Sequence, residues 1–187
     1  MGRTTRRGFA LGLAAASGMV LAGCDNGIGS GGAAVLDART DRTLQYMFQQ
    51  YPGTRDLYSR ASGTLVVPLV TEAGLGLGGS YGEGALRVRD VSVDYYSVTS
   101  GSAGLQIGAQ QYSFALFFMT DESLRAFRAS PGWAAGADIE YVLNDVGDTF
   151  RAETTTTRAP VIAVVFAQAG LRLGASLEGT KYTRIIP

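Results

Sequence analysis

The chain contains no histidine, one cysteine, one tryptophan and, among its 16 basic residues, a single lysine, Lys181. Each scarcity removes a class of chemistry. Without histidine, a serine or cysteine nucleophile lacks its usual general base, and a zinc site lacks its commonest nitrogen ligand. One cysteine excludes an intramolecular disulfide. Neither sign of charge is in excess, with 16 basic against 16 acidic residues, so long-range attraction to nucleic acid is not favoured. The apolar run at the N-terminus, residues 9–21, is too short for a helix that must cross about 30 Å of hydrocarbon.

What is abundant is glycine, at 26 residues, with 9 tyrosines, 8 phenylalanines and a hydrophobic share of 46%. That share supports a folded core. Glycine beside aromatic and β-branched residues points to strands and tight turns. A length of 187 residues suits one domain plus a targeting segment.

Residues 1–23 have the layout of a signal peptide: Arg3, Arg6 and Arg7 without an acid, then the Ala/Leu/Gly/Val-rich run. Thr5-Arg6-Arg7-Gly8-Phe9-Ala10-Leu11 resembles the twin-arginine export signal, in which Arg6 and Arg7 form part of a receptor-read address. The resemblance implies export of an already folded protein. Leu21-Ala22-Gly23-Cys24 resembles the lipobox of bacterial lipoproteins, whose cysteine thiol carries diacylglycerol. Two or three acyl chains such as palmitate hold a protein far more strongly than one, because each buried CH₂ contributes about 0.8 kcal/mol. Asp25 resembles the inner-membrane retention signal of enterobacterial lipoproteins, and the choice between inner and outer membrane stays open. The expected location is the cell envelope, lipid-anchored on the extracytoplasmic side. All acidic residues lie beyond residue 23, so losing Arg3, Arg6 and Arg7 leaves 13 basic against 16 acidic side chains, a net charge of −3.

Three segments are expected: a leader over 1–23, the acylated Cys24 with a Gly/Ser-rich tether over 24–35, and a domain over 36–187. The tether composition is that of a flexible spacer. In the domain, Leu36, Leu44, Met47, Phe48 and Tyr51 share one face at helical spacing, with Asp37 as a starting cap and Pro52-Gly53 as the stop. The mixed polar face favours a helix packed on its own domain over one lying on a membrane. A second short helix spans 55–61. Strands are expected over 64–70, 85–88, 91–98, 105–119, 137–143, 161–167, 171–177 and 181–186. Between the strands, Thr120 and Ser123 with early acids read as a short capped helix over 120–128. The fold class is α+β, with a curved, largely antiparallel and barrel-like sheet, an N-terminal helix and one inserted short helix.

Several motifs carry a chemical alternative. Gly78-Gly79-Ser80-Tyr81-Gly82 matches the nucleophile-elbow pattern, but no histidine exists to activate Ser80. Gly74 to Gly79 matches G-x-G-x-x-G, yet a helix does not follow and the later pattern is β-rich, unlike a dinucleotide-binding unit. The glycines are better suited to strand bending and close backbone approach. Asp90 with Asp94, and Asp138 with Glu140, offer oxygen ligands of the type calcium takes, but in no loop pattern that binds it. Asp145 and Asp148 read as turn residues. Arg172 and Glu178 read as a surface pair. No catalytic residue, metal ligand or cofactor is therefore assigned. The run Tyr112 to Met119 reads either as a strand buried on both faces or as an apolar ligand surface. On the second reading Phe117 and Phe118 face lipid, and Trp133, after Ser130-Pro131-Gly132, inserts at a bilayer interface.

Several segments together resemble the SYLF domain over about residues 65–182. They are the Gly-rich run Ala73 to Gly84 with Ala85-Leu86; Gly104 to Gln110, then Phe114 to Met119 and Ser123 to Phe127; Gly136-Ala137-Asp138; and Leu173 to Gly179. The family's Trp-Ser-x-Pro is replaced by Tyr95-Tyr96-Ser97-Val98. Its Gly-Pro-x-Gly is replaced around Asn144 to Gly147, and its Tyr-Ser-Arg is Phe166-Ala167-Gln168. The SYLF domain is a lipid-binding module found in actin-associated proteins and bacterial lipoproteins. The resemblance implies a non-catalytic domain that binds lipid or a membrane surface. The alternative is an envelope scaffold that docks a protein partner and touches lipid only through its acyl anchor. Nucleic acid is not an expected partner.

Overall fold

The computed structural model describes residues 30–134, 139–143, 159–170 and 179–187. Cys24, Arg6, Arg7, Asp138, Asp145, Asp148, Arg172, Glu178 and the expected strand over 171–177 lie outside the described residues.

The fold is α+β, with three helices and a six-stranded, unclosed sheet among the described residues. Helix α1, Gly32–Gln50, buries Leu36, Thr40, Leu44 and Met47, the stripe that helical spacing places on one side. It begins earlier than expected. Gly31, in a left-handed conformation, stands at the N-cap, so residues 32–35 are helical rather than tether. Asp37 lies inside the helix and is not its cap; its carboxylate has other partners, described below. Tyr51 closes the end through a backbone bond to Met47 O, and Pro52 starts α2, Gly53–Arg60.

The main feature is one long hairpin. Strand β1 runs Gly63–Val88 and β2 runs Val91–Phe118, paired antiparallel from Gly63↔Phe118 to Val88↔Val91. The Gly-rich run, left between the expected strands 64–70 and 85–88 and read as suited to strand bending, is continuous strand. A sequence of glycines has weak strand propensity, but a partner strand supplies the hydrogen bonds that the side chains do not. The two-residue turn, Arg89-Asp90, has φ of 49° and 66°. Its positive φ at both positions matches the twist of the flanking strands, and Arg87 Nη1 donates to Asp90 O at 3.0 Å to hold it.

The hairpin doubles back on itself. A Cβ on Gly84 would stand 2.5 Å from Val66 O, and one on Gly82 would stand 2.7 Å from Leu69 O. Residues 82–84 therefore lie against 66–69 of the same strand, where any side chain would force the backbones apart. Irregularities between Val67 and Val70 and between Leu75 and Leu77 fit the sharp curvature.

The other side of β2 is shared. Its Tyr95–Thr99 segment pairs with β6, Lys181–Ile185, and its Gln110–Phe118 segment pairs with β5, Val161–Gly170. The short β3, Trp133–Ala134, extends β6, and β4, Ile139–Leu143, joins β5 in the sheet's one parallel pairing among the described residues. Helix α3, Asp121–Ala129, enters as expected: the Thr120 side chain accepts from Ser123 N at 3.1 Å.

Period-2 alternation divides the core. Phe114, Leu116 and Phe118 face the inside of the doubled hairpin with Leu65, Val67, Leu86 and Phe127. Ala115 and Phe117 face α1 and α2 with Leu44, Met47, Leu57 and Ile162. Residues 112–118 are buried on both faces, which explains their unbroken apolar run.

Candidate functional site

A cleft of about 460 Å³ lies where α3 ends and β6 passes. Tyr96, Arg128, Ser130, Pro131, Gly132, Lys181, Thr183 and Arg184 line it. Alternation along β6 buries Tyr182 and turns Lys181 and Thr183 to the exposed side. Gly132 adopts φ +84°, and Lys181 Cε lies 2.8 Å from where a Cβ there would be. Glycine thus makes the tight turn and leaves room for the lysine stem to cross it.

Asp94 organises the arginines. Arg128 Nε donates to Asp94 Oδ2 at 2.7 Å, and Arg184 Nε lies 3.3 Å from Asp94 Oδ1. Arg184 Nη2 also donates to Arg128 O at 3.0 Å, a favourable place for a cation because the last carbonyls of a helix are unpaired. The carboxylate side chain is 12% exposed, whereas the two arginines are 42% and 51% exposed. One buried acid thus positions two open cations, and with Lys181 the cleft carries a local excess of positive charge. Tyr96 forms part of the wall, and its buried hydroxyl lies beside Arg184. Burial raises its pKa from the ordinary 10.0, and the adjacent Arg184 pulls against that rise.

The expected lipid-facing side chains are elsewhere. Phe117 and Phe118 are both 0% exposed, which corrects their assignment to a lipid surface. Trp133 is half-buried, 5.2 Å from Phe127 and 5.3 Å from Tyr182 between ring centroids. It anchors the loop instead of projecting from it. Their runs are apolar because the sheet has a covered layer on each side.

The remaining candidates have local explanations. Ser80 is buried, with its Oγ 2.6 Å from Ser100 Oγ across the hairpin. Nearby, burial and then the Glu72 charge push Tyr112 up to about 12. The glycines of G-x-G-x-x-G sit within β1, without the strand–loop–helix turn that would cradle a pyrophosphate. Asp90 accepts from Tyr58 OH at 2.9 Å in the hairpin turn. Among the described residues, no three acidic or cysteine side chains cluster as a metal site would require.

The sequence reading did not assemble the cleft. Lys181 and Arg184 are three residues apart with a buried Tyr182 between them, a spacing that strand alternation would not place on one side, although both are exposed in β6. Nothing in the sequence pairs them with Arg128, 53 positions away from Lys181.

No curated protein matches the chain. Residues 99–184, which include Arg128, Lys181 and Arg184, match the family model described as "Ysc84: Las17-binding protein actin regulator". The match begins beyond the Gly-rich run, and over those residues the chain is similar to the SYLF-type domain whose motifs it carries.

Proposed function

We propose that this is a membrane-anchored envelope lipoprotein whose folded domain contacts the lipid surface without catalysing a reaction. The observation that carries the reading is the end of the domain at which the leader arrives. Ser30 Oγ donates to Pro187 O at 3.0 Å, so the start of the domain and the end of β6 lie together. Val35 and Ile186, 53% and 64% exposed, flank that junction. Asp37 of α1 accepts from Ser92 and Tyr95, which brings the exposed Val91 and Val93 toward the same end. Six residues separate Cys24 from Ser30, a reach of about 20 Å at full extension. An acyl group on Cys24 would therefore keep this apolar end at the bilayer. The similarity to a family described as a binding protein supports a non-catalytic role.

The test is liposome flotation of residues 25–187, with folding checked by circular dichroism. Flotation that survives high salt and weakens on Val35→Ser/Ile186→Ser supports apolar contact by the domain. A folded domain that floats with no lipid leaves the acyl anchor as the sole contact and favours the scaffold reading. That second reading rests on the matching family, whose description names a protein-binding regulator. Loss of membrane fractionation and acyl labelling in Cys24→Ser checks the anchor itself.

A further inference from the structure

We propose that the cleft beside β6 binds a single phosphate group. This deepens the membrane reading, on which it rests for the source of the phosphate but not for the site itself.

Three cations line one space: Arg128 from the end of α3, and Lys181 and Arg184 from β6. Asp94 neutralises one of them. It holds both arginines by their Nε atoms, which leaves other guanidinium N–H groups to donate. Among the described residues the local balance is two positive charges, the complement of a phosphate monoester dianion. The Ser130 and Thr183 residues add hydroxyl-bearing side chains to the lining. Tyr96, 2% exposed, adds an aromatic wall whose hydroxyl lies beside Arg184. Separated cations suit the several oxygens of a tetrahedral phosphate better than the two coplanar oxygens of a carboxylate. A cleft of about 460 Å³ has room for the phosphate and a small attached group such as glycerol.

Position connects the site to a bilayer. Lys181, Thr183 and Arg184 lie on the strand that ends at Pro187, which is bonded to Ser30. Arg184 is three residues from that junction, about 10 Å of extended chain. A domain held there by an acylated Cys24 brings the cleft to the depth of headgroup phosphates.

The sole tryptophan is the reporter, since Trp133 adjoins Gly132 of the lining and packs on Tyr182. The full chain in non-ionic detergent is titrated with inorganic phosphate and with glycerol 3-phosphate at constant ionic strength, following Trp133 emission. Saturable change with both is expected. Lys181→Gln and Arg184→Gln should each weaken binding about fivefold, as expected for a lost but solvent-screened charge-assisted bond. Asp94→Asn, which frees both arginines, should tighten it. Lys181→Gln serves where Arg184→Gln perturbs folding, because Lys181 is exposed and spans only the Gly132 turn.

No response to either phosphate, or an equal response in Lys181→Gln and Arg184→Gln, overturns the site. Vesicles of phosphatidylcholine with and without phosphatidic acid then separate the sources. Phosphate binding without vesicle binding keeps the site, assigns it to free phosphate and removes the membrane reading. Vesicle binding undiminished in Lys181→Gln keeps the membrane reading and removes this one.

Discussion

Two charge clusters sit on the same doubled-back limb of the hairpin and have opposite polarity. In one, a buried cation is shared by acids. Arg87, 10% exposed, lies 2.7 Å from Asp41 Oδ1 and 3.7 Å from Asp37 Oδ1. Asp37 accepts further bonds from Ser92 and Tyr95, while Tyr58 reaches Asp90. In the other, the buried acid Asp94 is shared by Arg128 and Arg184. The first ties α1 to the sheet across some 50 residues of sequence and is closed by hydroxyl donors. The second opens on a cleft with a cation to spare. A charge cluster becomes a lock when its surrounding groups complete it, and a site when they leave charge facing solvent.

The comparison can be broken most severely at Gly84. Its replacement by alanine puts a methyl against Val66 O and displaces the limb that carries both clusters. A loss of about 3 kcal/mol is expected from such overpacking, visible as a Tm lower by roughly 10 °C. An unchanged Tm would show that the limb is not seated on residues 66–69.

Arg87→Met should destroy only the lock. Asp37 and Asp41 are 34% and 57% exposed, so water recovers part of their solvation. The expected loss is about 2 kcal/mol, less than for a fully buried pair. Denaturant midpoints should fall while phosphate affinity at the cleft stays unchanged. Coupled loss of affinity would mean that the clusters are not separate devices.

Asp94→Asn should reverse that pattern. Both its partners are largely in solvent, so stability should fall by no more than about 1 kcal/mol, while phosphate binding tightens. A stability loss as large as that of Arg87→Met would make this cluster a second lock.

The smallest effect concerns pH. Burial, then the hydrogen bond to Asp90, raises the Tyr58 pKa above 10.0, and burial with Asp37 does the same for Tyr95. The protonated phenols are the forms favoured by folding, so their contribution is fully present below pH 10 and is lost as pH rises through the raised folded values. Thermal stability should decline above pH 10, and Tyr58→Phe should flatten part of that decline. An identical alkaline profile in the variant would remove Tyr58 from the lock.

How much was legible in the sequence varied with the range of the interaction. The α1 stripe of Leu36, Leu44 and Met47 and the Thr120 cap depend on residues three or four apart, and both were readable. The Gly-rich run was read as suited to strand bending but given no strand bounds, because its glycines have no side chains to display a period. Its strand character comes from register with β2, from Gly74↔Gly108 to Gly84↔Tyr96. Phe117 and Phe118 offered two readings because an unbroken apolar run looks the same on a ligand surface and between two covered layers.

By itself the sequence determined the class of the fold, the unbroken apolar run over 112–118, the apolar strand over 161–166, and the absence of histidine as a general base. These follow from residue chemistry and local spacing. Only the tertiary structure decided that β1 folds onto itself at Gly82 and Gly84, that Arg87 faces Asp37 and Asp41, and that Arg128, Lys181 and Arg184 enclose one cleft around Asp94. Those outcomes join positions 13 to 90 residues apart, and such distances are set by strand register and packing, to which local propensity is blind.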